Sequence, residues 1–209
     1  MSGPEKFIGE DILVARCTDS KLLAAKAEYF RQSGLWEEVV QGIADLTVKY
    51  DPLNMSDAEA EAQFHHAWDV PTCVGAPSGE VMVLDASFAE QDAPDRDVVA
   101  DRIGVNADGL AAWIAQRGYR ISMMGFQPGF AYLEDNAPDQ VPTLARLDTP
   151  RQRVAAGSIG FLGGRACIYA LDGPGGWPII GRVLEPLFRR DHAEPFLLKP
   201  GQMLRFLPT

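Results

Sequence analysis

The first 70 residues alternate between apolar runs of strand-like period and one longer run of helical period. Residues 7–16 mix apolar and polar positions and predict a strand, which ends before the Thr-Asp-Ser cluster at 18–20. Those three residue types are good helix N-caps. Apolar positions between 22 and 35 then recur at near-helical spacing, and Gly34 provides a C-terminal stop. A strand followed by a helix is predicted.

Two more strands and a second helix are predicted before residue 70. The run VVQGIADLTVKYDP reads as two short strands that break at Gly42. Ser56 and Asp57 are positioned to cap a helix that continues to about Trp68. The order strand, helix, strand, strand, helix is typical of a ferredoxin-like α/β sandwich. We therefore expect an N-terminal α+β domain at residues 1–70.

A second domain is predicted at residues 71–209, because Pro71 pushes the residue before it into an extended conformation. The segment CVGAPSGEVMVLD has strand-like ends around a Pro-Ser-Gly turn, and residues 95–117 carry two helical patterns separated at 104–106. From Tyr119 onward, short β-type runs alternate with Gly/Pro turns. That alternation is typical of an antiparallel barrel or sandwich, so the whole chain is predicted to be α+β.

Composition excludes several classes of partner. The net charge is −10 and spreads along the chain, and no basic cluster is longer than Arg189-Arg190. Nucleic acid and anionic membrane surfaces are therefore not expected as partners. The chain holds no apolar run of transmembrane length and starts without the pattern of a signal peptide, so a cytoplasmic location is expected.

No metal site is expected from the candidate ligands. His65 and His66 are neighbours, so on a helix they diverge by about 100° and do not share one ion. His192 lies in a charged stretch and is expected at the surface. The cysteines are too widely spaced for zinc and are interpreted as reduced structural thiols. The acidic residues between 92 and 108 lack calcium-loop spacing and predict a solvated face. These residues are Cys17, Cys73 and Cys167, and Asp92, Asp95, Asp97, Asp101 and Asp108.

The segment GFQPGFAYL, residues 125–133, is the first candidate for ligand binding. Pro128 and Gly129 favour a type II turn, because proline fixes φ at the first central position and glycine accepts a positive φ at the second. Amide groups near such a turn can hold a carboxylate or phosphate oxygen. The alternative is a tight hairpin whose flanking rings, Phe126 and Phe130, simply pack in the core.

The segment TPRQRVAAGSIG, residues 149–160, is the second candidate. Arg151 has a planar, charged fork that suits a carboxylate or phosphate, although a surface salt bridge is the commoner role of an arginine. The small residues that end at Gly157 and Ser158 allow a ligand or another backbone to come close. Ser158 has no Gly-x-Ser-x-Gly frame, so hydrogen bonding is its expected role rather than nucleophilic attack.

The segment GPGGW, residues 173–177, is the third candidate. Successive glycines, among them Gly175 and Gly176, can form an anion-binding concavity, and Trp177 could close one side of a pocket. Ordinary turn chemistry is the alternative. Three such turns within one predicted barrel favour a shared pocket mouth.

Read in order, GFQPGFAYL, TPRQRVAAGSIG and IYALDGPGGWPIIGR resemble one family closely. The chain is similar to the B subunit of 5-oxoprolinase, a family also known as allophanate hydrolase subunit 1 or the sporulation-kinase-inhibitor family. The early run VVQGIADLTVKYDPL and the ending KPGQMLRF extend the resemblance over most of the chain. The chain departs from that family's pattern where it lacks a histidine before Tyr119, and where it has Ala155, Arg165 and Gly173 in place of proline, glutamine and serine.

The resemblance implies a ferredoxin-like domain followed by a cyclophilin-like antiparallel β-barrel. It further implies a complex with two other proteins, namely a second cyclophilin-like barrel of the allophanate hydrolase subunit 2 type and a LamB/YcsF-type subunit. Such a complex opens the lactam of 5-oxoproline to glutamate with ATP hydrolysis. This chain has no Walker-type loop, so it is expected to bind no cofactor alone and ATP is assigned to a partner.

Three functions follow as hypotheses. The first is a hydrolase subunit that is inactive without its partners and binds a small amide or lactam. The second is a carboxyltransferase component related to urea carboxylase. The third is a binding module that inhibits a sensor histidine kinase. No catalytic residue is assigned, and the residues predicted to bind substrate lie in the three turns: Phe126, Pro128, Gly129, Phe130, Tyr132, Arg151, Gly157, Ser158, Gly175, Gly176 and Trp177.

Overall fold

The structure, a computed structural model, describes residues 5–6, 11–72, 80–137 and 141–209. The chain forms two compact units, Met1–Ala76 and Pro77–Thr209. The sequence-based boundary at residue 70 rests on Pro71 and on the apolar run that begins behind it. The predicted Pro-Ser-Gly turn, with Cys73, lies outside the described residues.

The N-terminal unit is a four-stranded antiparallel sheet with two helices. The strands lie in the order β1-β2-β4-β3. The order β2-α1-β3-β4-α2 is the predicted one, and β1 occupies the sheet position of the last strand of a ferredoxin-like fold. The elements are β1 Glu5–Lys6, β2 Ile12–Arg16, α1 Ser20–Ser33, β3 Glu38–Gln41, β4 Asp45–Lys49 and α2 Asp57–Asp69.

Both helices of this unit begin and end as their sequences predict. The Asp19 carboxylate accepts hydrogen bonds from the amides of Lys21 and Leu22, at 3.0 and 3.1 Å. Ser56 and Glu59 form a reciprocal capping box at the start of α2. Gly34 ends α1 with a φ of 66°, which a residue without a Cβ adopts at low cost.

The core of the N-terminal unit is rich in aromatic rings. Phe30 of α1 packs edge-on against Phe64 of α2, with ring centroids 4.9 Å apart. The buried Lys26 ammonium donates hydrogen bonds to the carbonyl oxygens of Trp68 and Val70 at the end of α2. Burial lowers the pKa of Lys26, and the nearby Asp69 carboxylate partly offsets this effect. Lys26 of α1 thus links α1 to the C-terminal end of α2 through these hydrogen bonds.

The second unit is built on a closed barrel of seven strands, in the order β10-β7-β6-β13-β5-β12-β9. Two further strands, β8 and β11, pair with each other as a separate ribbon. The elements are β5 Met82–Ser87, α3 Arg96–Ile103, α4 Ala107–Ala115, β6 Tyr119–Met124, β7 Ala131–Asp135, β8 Arg151–Val154, β9 Ser158–Phe161, β10 Arg165–Ile168, β11 Gly173–Gly175, β12 Ile179–Val183 and β13 Met203–Pro208.

One pairing in the barrel differs from the antiparallel prediction. Strand β13 lies parallel to β5, with Phe206 opposite Leu84. Parallel neighbours need a long connection, and nearly the whole unit separates these two strands in sequence. Short Gly/Pro turns predict antiparallel pairing between consecutive strands, but they do not indicate that β13 and β5 pair to close the barrel.

The two predicted helical patterns are confirmed as α3 and α4. Gly104 ends α3 with a φ of 79°, and the Asn106 side chain accepts a hydrogen bond of 2.6 Å from the Gly109 amide at the start of α4. Their apolar faces, with Val99 and Ile114, pack into the main core cluster of the barrel. The barrel is thus filled by side chains, as expected for a small closed barrel.

Candidate functional site

The Pro128-Gly129 turn forms as predicted. The Phe130 amide donates a 3.0 Å hydrogen bond to the Gln127 carbonyl oxygen, and Gly129 has a φ of 75°. Gly129 is also tightly packed, since a Cβ there would lie 2.8 Å from the Ala170 Cβ. Phe126, just before the turn, has a φ of 72°, which is unusual for a residue with a large side chain.

The rings that flank the turns pack into a second core cluster of the barrel unit. Phe130 and Trp177 are only 2% and 7% exposed, and both contact Tyr132, at ring-centroid distances of 4.8 and 6.2 Å respectively. Phe130 also meets Tyr169 at 4.9 Å. The structure therefore brings these predicted residues together, but as packed rings rather than as the walls of a hollow. This is the alternative considered for the first turn.

The Gly-Pro-Gly-Gly-Trp turn is shaped by the same cluster. Strand β11 pairs with β8, which places Gly175 opposite Arg151. A Cβ on Gly175 would lie 2.2 Å from the Tyr169 hydroxyl oxygen, so close approach of this ring requires glycine here. The Gly176 carbonyl accepts a 2.8 Å hydrogen bond from the Leu147 amide. The glycines thus serve packing and strand pairing.

The titratable groups of this cluster, which are buried or partly buried, are poor nucleophiles. Burial raises the pKa of the Cys167 thiol and of the Tyr132 and Tyr169 hydroxyls, because the charged forms lose their hydration. All three groups are therefore neutral near pH 7, and Cys167 fits its predicted role as a structural thiol.

A polar cleft shares a wall with this cluster. Its volume is about 210 Å³, and Arg151 and Ser158 line it. Val154 and Ile179 belong both to the cleft lining and to the aromatic cluster, and they form the shared wall. We call this depression the Arg151 cleft. Its remaining polar lining includes Asp92, Arg153 and Arg182.

The Arg151 guanidinium is hydrogen-bonded through one terminal nitrogen, and its other terminal nitrogen has no partner among the described residues. Its Nη2 donates a 2.8 Å hydrogen bond to Oδ1 of Asp95, and the two side chains are 31% and 15% exposed. Its Nη1 is buried, and within the described part of the chain no hydrogen-bond partner reaches it. Because Arg151 also lines the cleft, its charged guanidinium is of the type that suits a carboxylate or carbonyl oxygen.

Two acidic residues that we expected on a solvated face are instead partly buried at this cleft. Asp95 Oδ2 accepts a 2.6 Å hydrogen bond from the Ile179 amide. Asp92 accepts a 2.6 Å hydrogen bond from the Ser87 hydroxyl and lies 3.9 Å from Arg182. That expectation was wrong because Ile179 and the two arginines are distant in sequence. A single aspartate before a helical pattern indicates only a cap, so the local sequence holds no signal for these pairings.

Ser158 contributes a second polar group to the cleft. It is buried, and Gly157 before it has a φ of 85°. A Cβ on Gly157 would lie 2.4 Å from the Val183 carbonyl oxygen, so this glycine lets β9 approach β12. The cleft lining contains no histidine; His192 is exposed, as predicted, and His65 and His66 are exposed as well. Ser158 therefore has no histidine partner there, and hydrogen bonding by its hydroxyl stays a prediction.

The turn residues Pro128 and Gly129 line a different depression. This groove has a volume of about 420 Å³ and is mainly apolar, with Phe196 and Leu198 in its lining. The predicted residues therefore divide among three places. Arg151 and Ser158 lie in the cleft, Pro128 and Gly129 in the groove, and Phe130, Tyr132 and Trp177 in the aromatic cluster, which Phe126 contacts from outside.

Two other kinds of feature are absent from the described residues. Across residues 11–72, 80–137 and 141–209, no group of three or more His, Cys, Asp or Glu side chains is arranged to hold a metal ion. The helices within those ranges are all too short or too polar to cross a bilayer.

Sequence comparison finds relatives along most of the chain. It is 31% identical over 171 residues to the B subunit of 5-oxoprolinase from Escherichia coli O157:H7, a match that covers 82% of this chain and 77% of that protein. It is 42% identical over 89 residues to the B subunit of 5-oxoprolinase from Haemophilus influenzae, which covers 43% of this chain and 41% of that protein.

Solved structures share the fold. The crystal structure of TTHA0988 matches 95% of this chain with a TM-score of 0.76 and 26% identity. Kluyveromyces lactis urea amidolyase matches 98% of this chain and 14% of its own, with a TM-score of 0.75 and 14% identity, which is a likeness of fold alone. This chain spans 40% of the length of the TTHA0988 chain.

The family model for the carboxyltransferase domain, subdomain C and D, matches residues 8–198. That range takes in most of the N-terminal sheet, most of the barrel strands and the Arg151 cleft. The chain therefore belongs to the carboxyltransferase domain family, subdomains C and D, as a homologue of the 5-oxoprolinase B subunit.

Proposed function

We propose that this chain is one subunit of an ATP-dependent 5-oxoprolinase-type complex, which opens 5-oxoproline to glutamate. The main support for the proposal is the sequence similarity of this chain to the B subunits of 5-oxoprolinases. In this reaction the ring C–N bond breaks and the elements of water are added. The former carbonyl carbon becomes a carboxylate and the former ring nitrogen becomes an amine.

The Arg151 cleft supports this proposal because its chemistry suits the substrate. The Arg151 guanidinium would donate to the substrate carboxylate, or to the oxyanion that develops on the lactam carbonyl. The Ser158 hydroxyl would provide a second donor beside it. Such charge-assisted hydrogen bonds are strong in a site with little water, since the local dielectric constant is low.

The rest of the machinery is assigned to partners. The sequence has no Walker-type phosphate loop, so ATP would bind to another subunit. We propose two partners in the cytoplasm, a LamB/YcsF-type subunit together with a second cyclophilin-like barrel protein. A general base for water would also come from a partner, because the cleft lining has no histidine and its carboxylate, Asp92, already accepts from Ser87 and lies 3.9 Å from Arg182.

The test is reconstitution with the companion subunits and measurement of glutamate release from 5-oxoproline with ATP. Release should depend on this chain, and Arg151→Met should raise the KM for 5-oxoproline about tenfold or more, since one charged hydrogen bond is lost. Arg205→Met is the matched control, because Arg205 is an exposed arginine on β13 outside the cleft lining. Glutamate release that does not require this chain would refute the proposal.

A carboxyltransferase component is the second candidate, and the name of the matched family favours it. The same Arg151 cleft would then bind the carboxyl group that is transferred to urea or a related amide. Assays of the reconstituted subunits with carboxybiotin distinguish the two functions. Transfer of carboxyl to urea, without glutamate release from 5-oxoproline, would select this candidate.

A further inference from the structure

Asp95 occupies the N-cap position of α3, but its side chain makes no capping hydrogen bond. In the three other described helices, the residue at this position accepts a hydrogen bond from an amide in the first turn of its own helix; these residues are Asp19, Ser56 and Asn106. Aspartate is among the best capping residues, so its use elsewhere is a departure from a local rule. Departures of this kind concentrate at functional sites.

The Asp95 carboxylate instead joins two strands. Oδ1 accepts from Arg151 at the start of β8, and Oδ2 accepts from the Ile179 amide at the start of β12, at 2.8 and 2.6 Å. The Asp95 amide also donates a 3.0 Å hydrogen bond to the Ile179 carbonyl oxygen. Both carboxylate oxygens and the backbone of Asp95 are therefore fixed against one wall of the Arg151 cleft.

This arrangement determines how Arg151 is presented. A guanidinium is planar, so holding Nη2 against Asp95 also fixes the direction of Nη1. Nη1 is the buried nitrogen that has no partner in the described residues. Without Asp95, the guanidinium would be free to rotate about its side-chain bonds, and the donor would no longer have one direction.

We infer that Asp95 is a positioning residue, which holds the Arg151 guanidinium in one orientation in the lining of the cleft. The identity of the ligand rests on the proposed function, whereas the orientation of Arg151 does not. The inference concerns two side chains separated by 56 positions, and it assigns to Asp95 a role that acts only through Arg151.

The first test observes Arg151 itself by ¹⁵N NMR of the full chain labelled on arginine. The wild type should show slowly rotating Nη signals that disappear in Arg151→Met. Asp95→Asn should collapse those signals, whereas Asp97→Asn should leave them unchanged, because Asp97 is 78% exposed and two residues away. Should Asp95→Asn fail to fold, Asp95→Glu keeps the charge but displaces its oxygens, and the same signals should shift. Signals that persist unchanged overturn the inference.

The second test is a double-mutant cycle in the reconstituted complex with 5-oxoproline as substrate. Asp95→Asn should raise KM about fivefold alone, but change it less than about twofold when Arg151 is already methionine, because coupled residues are not additive. An equal effect in both backgrounds would mean a merely structural role and would overturn the inference. If the complex releases no glutamate at all, the proposed function fails, while the NMR result still decides the role of Asp95.

Discussion

Helices α1 and α3 have the same kinds of residue at their ends, yet they use them differently. Each follows an aspartate and each stops at a glycine in the left-handed region, Gly34 and Gly104. Asp19 accepts two first-turn amides, whereas Asp95 accepts a guanidinium and the amide of a distant strand. At the start of α3, a distant guanidinium and a distant amide thus take the place of the first-turn amides. The local sequence places the helix, and tertiary neighbours decide what its first side chain does.

The largest expected effect comes from Asp95→Ala. Loss of the carboxylate leaves the Arg151 guanidinium and the Ile179 amide without their acceptor, both in a partly buried setting. We expect the free energy of unfolding of the barrel unit to fall by about 2 kcal/mol, as measured by urea denaturation. Hydrogen exchange at the Ile179 amide should accelerate in parallel. If Asp95→Ala lowers the free energy of unfolding no more than loss of an ordinary N-cap does, the proposed difference between Asp95 and Asp19 is wrong.

The helix ends provide the next comparison, because there the two helices should behave alike. A Cβ added at Gly34 or Gly104 meets no atom within 4 Å, so only the positive φ opposes it. We expect Gly34→Ala and Gly104→Ala each to lower the free energy of unfolding, measured in urea, by about 1.5 kcal/mol. If the two variants lose unequal amounts of stability, tertiary contacts also influence the C-terminal ends of the helices. The two helices would then differ at both ends rather than only at their N-termini.

The same contrast explains how much of the fold followed from the sequence. Helix starts and stops, such as Ser56 and Gly104, are set by bonds within a few residues, and they were predicted correctly. Barrel strands were predicted from their apolar runs and turns. The parallel pairing of β13 with β5 was not predicted, since it joins segments at opposite ends of the unit.

The candidate site was harder to predict for a similar reason. Arg151 and Ser158 lie in one cleft, as residue type and small neighbours had indicated. The sequence could not tell whether Trp177 lined that cleft or packed behind its wall, because both roles need an aromatic residue after glycines. Asp95 was missed because it was interpreted as part of a solvated acidic face, and its partners Arg151 and Ile179 are distant in sequence.

Asp19→Ala should have a smaller effect than Asp95→Ala. It removes the acceptor for two first-turn amides of α1, which water can replace in part. We expect a loss of about 1 kcal/mol in the free energy of unfolding of the N-terminal unit. Faster hydrogen exchange should be confined to the first turn of α1. A change in the KM of the reconstituted complex would contradict the division between a capping aspartate and a positioning aspartate.

The smallest expected effect concerns the pH dependence of the α2 cap. The Ser56 hydroxyl and amide donate to the Glu59 carboxylate and hold its pKa below the ordinary value of 4.5. A carboxyl with a lowered folded-state pKa contributes fully above its unfolded-state value, and that contribution is lost as pH falls through the folded-state value. The first turn of α2 should therefore exchange its amides faster, relative to the rest of the helix, as pH falls from 4.5 through the lowered pKa of Glu59.

Glu59→Gln is the control for this effect, because an amide oxygen still accepts from the Ser56 amide but does not titrate. Its first turn should show no acid step in the relative exchange rates, whereas Ser56→Ala should bring the pKa of Glu59, followed by NMR, back toward 4.5. An acid step that survives in Glu59→Gln would place the titrating group elsewhere. If both results hold, the cap of α2 depends on the Glu59 carboxylate of the same helix. The Asp95 carboxylate at the start of α3 instead pairs with Arg151 of a distant strand.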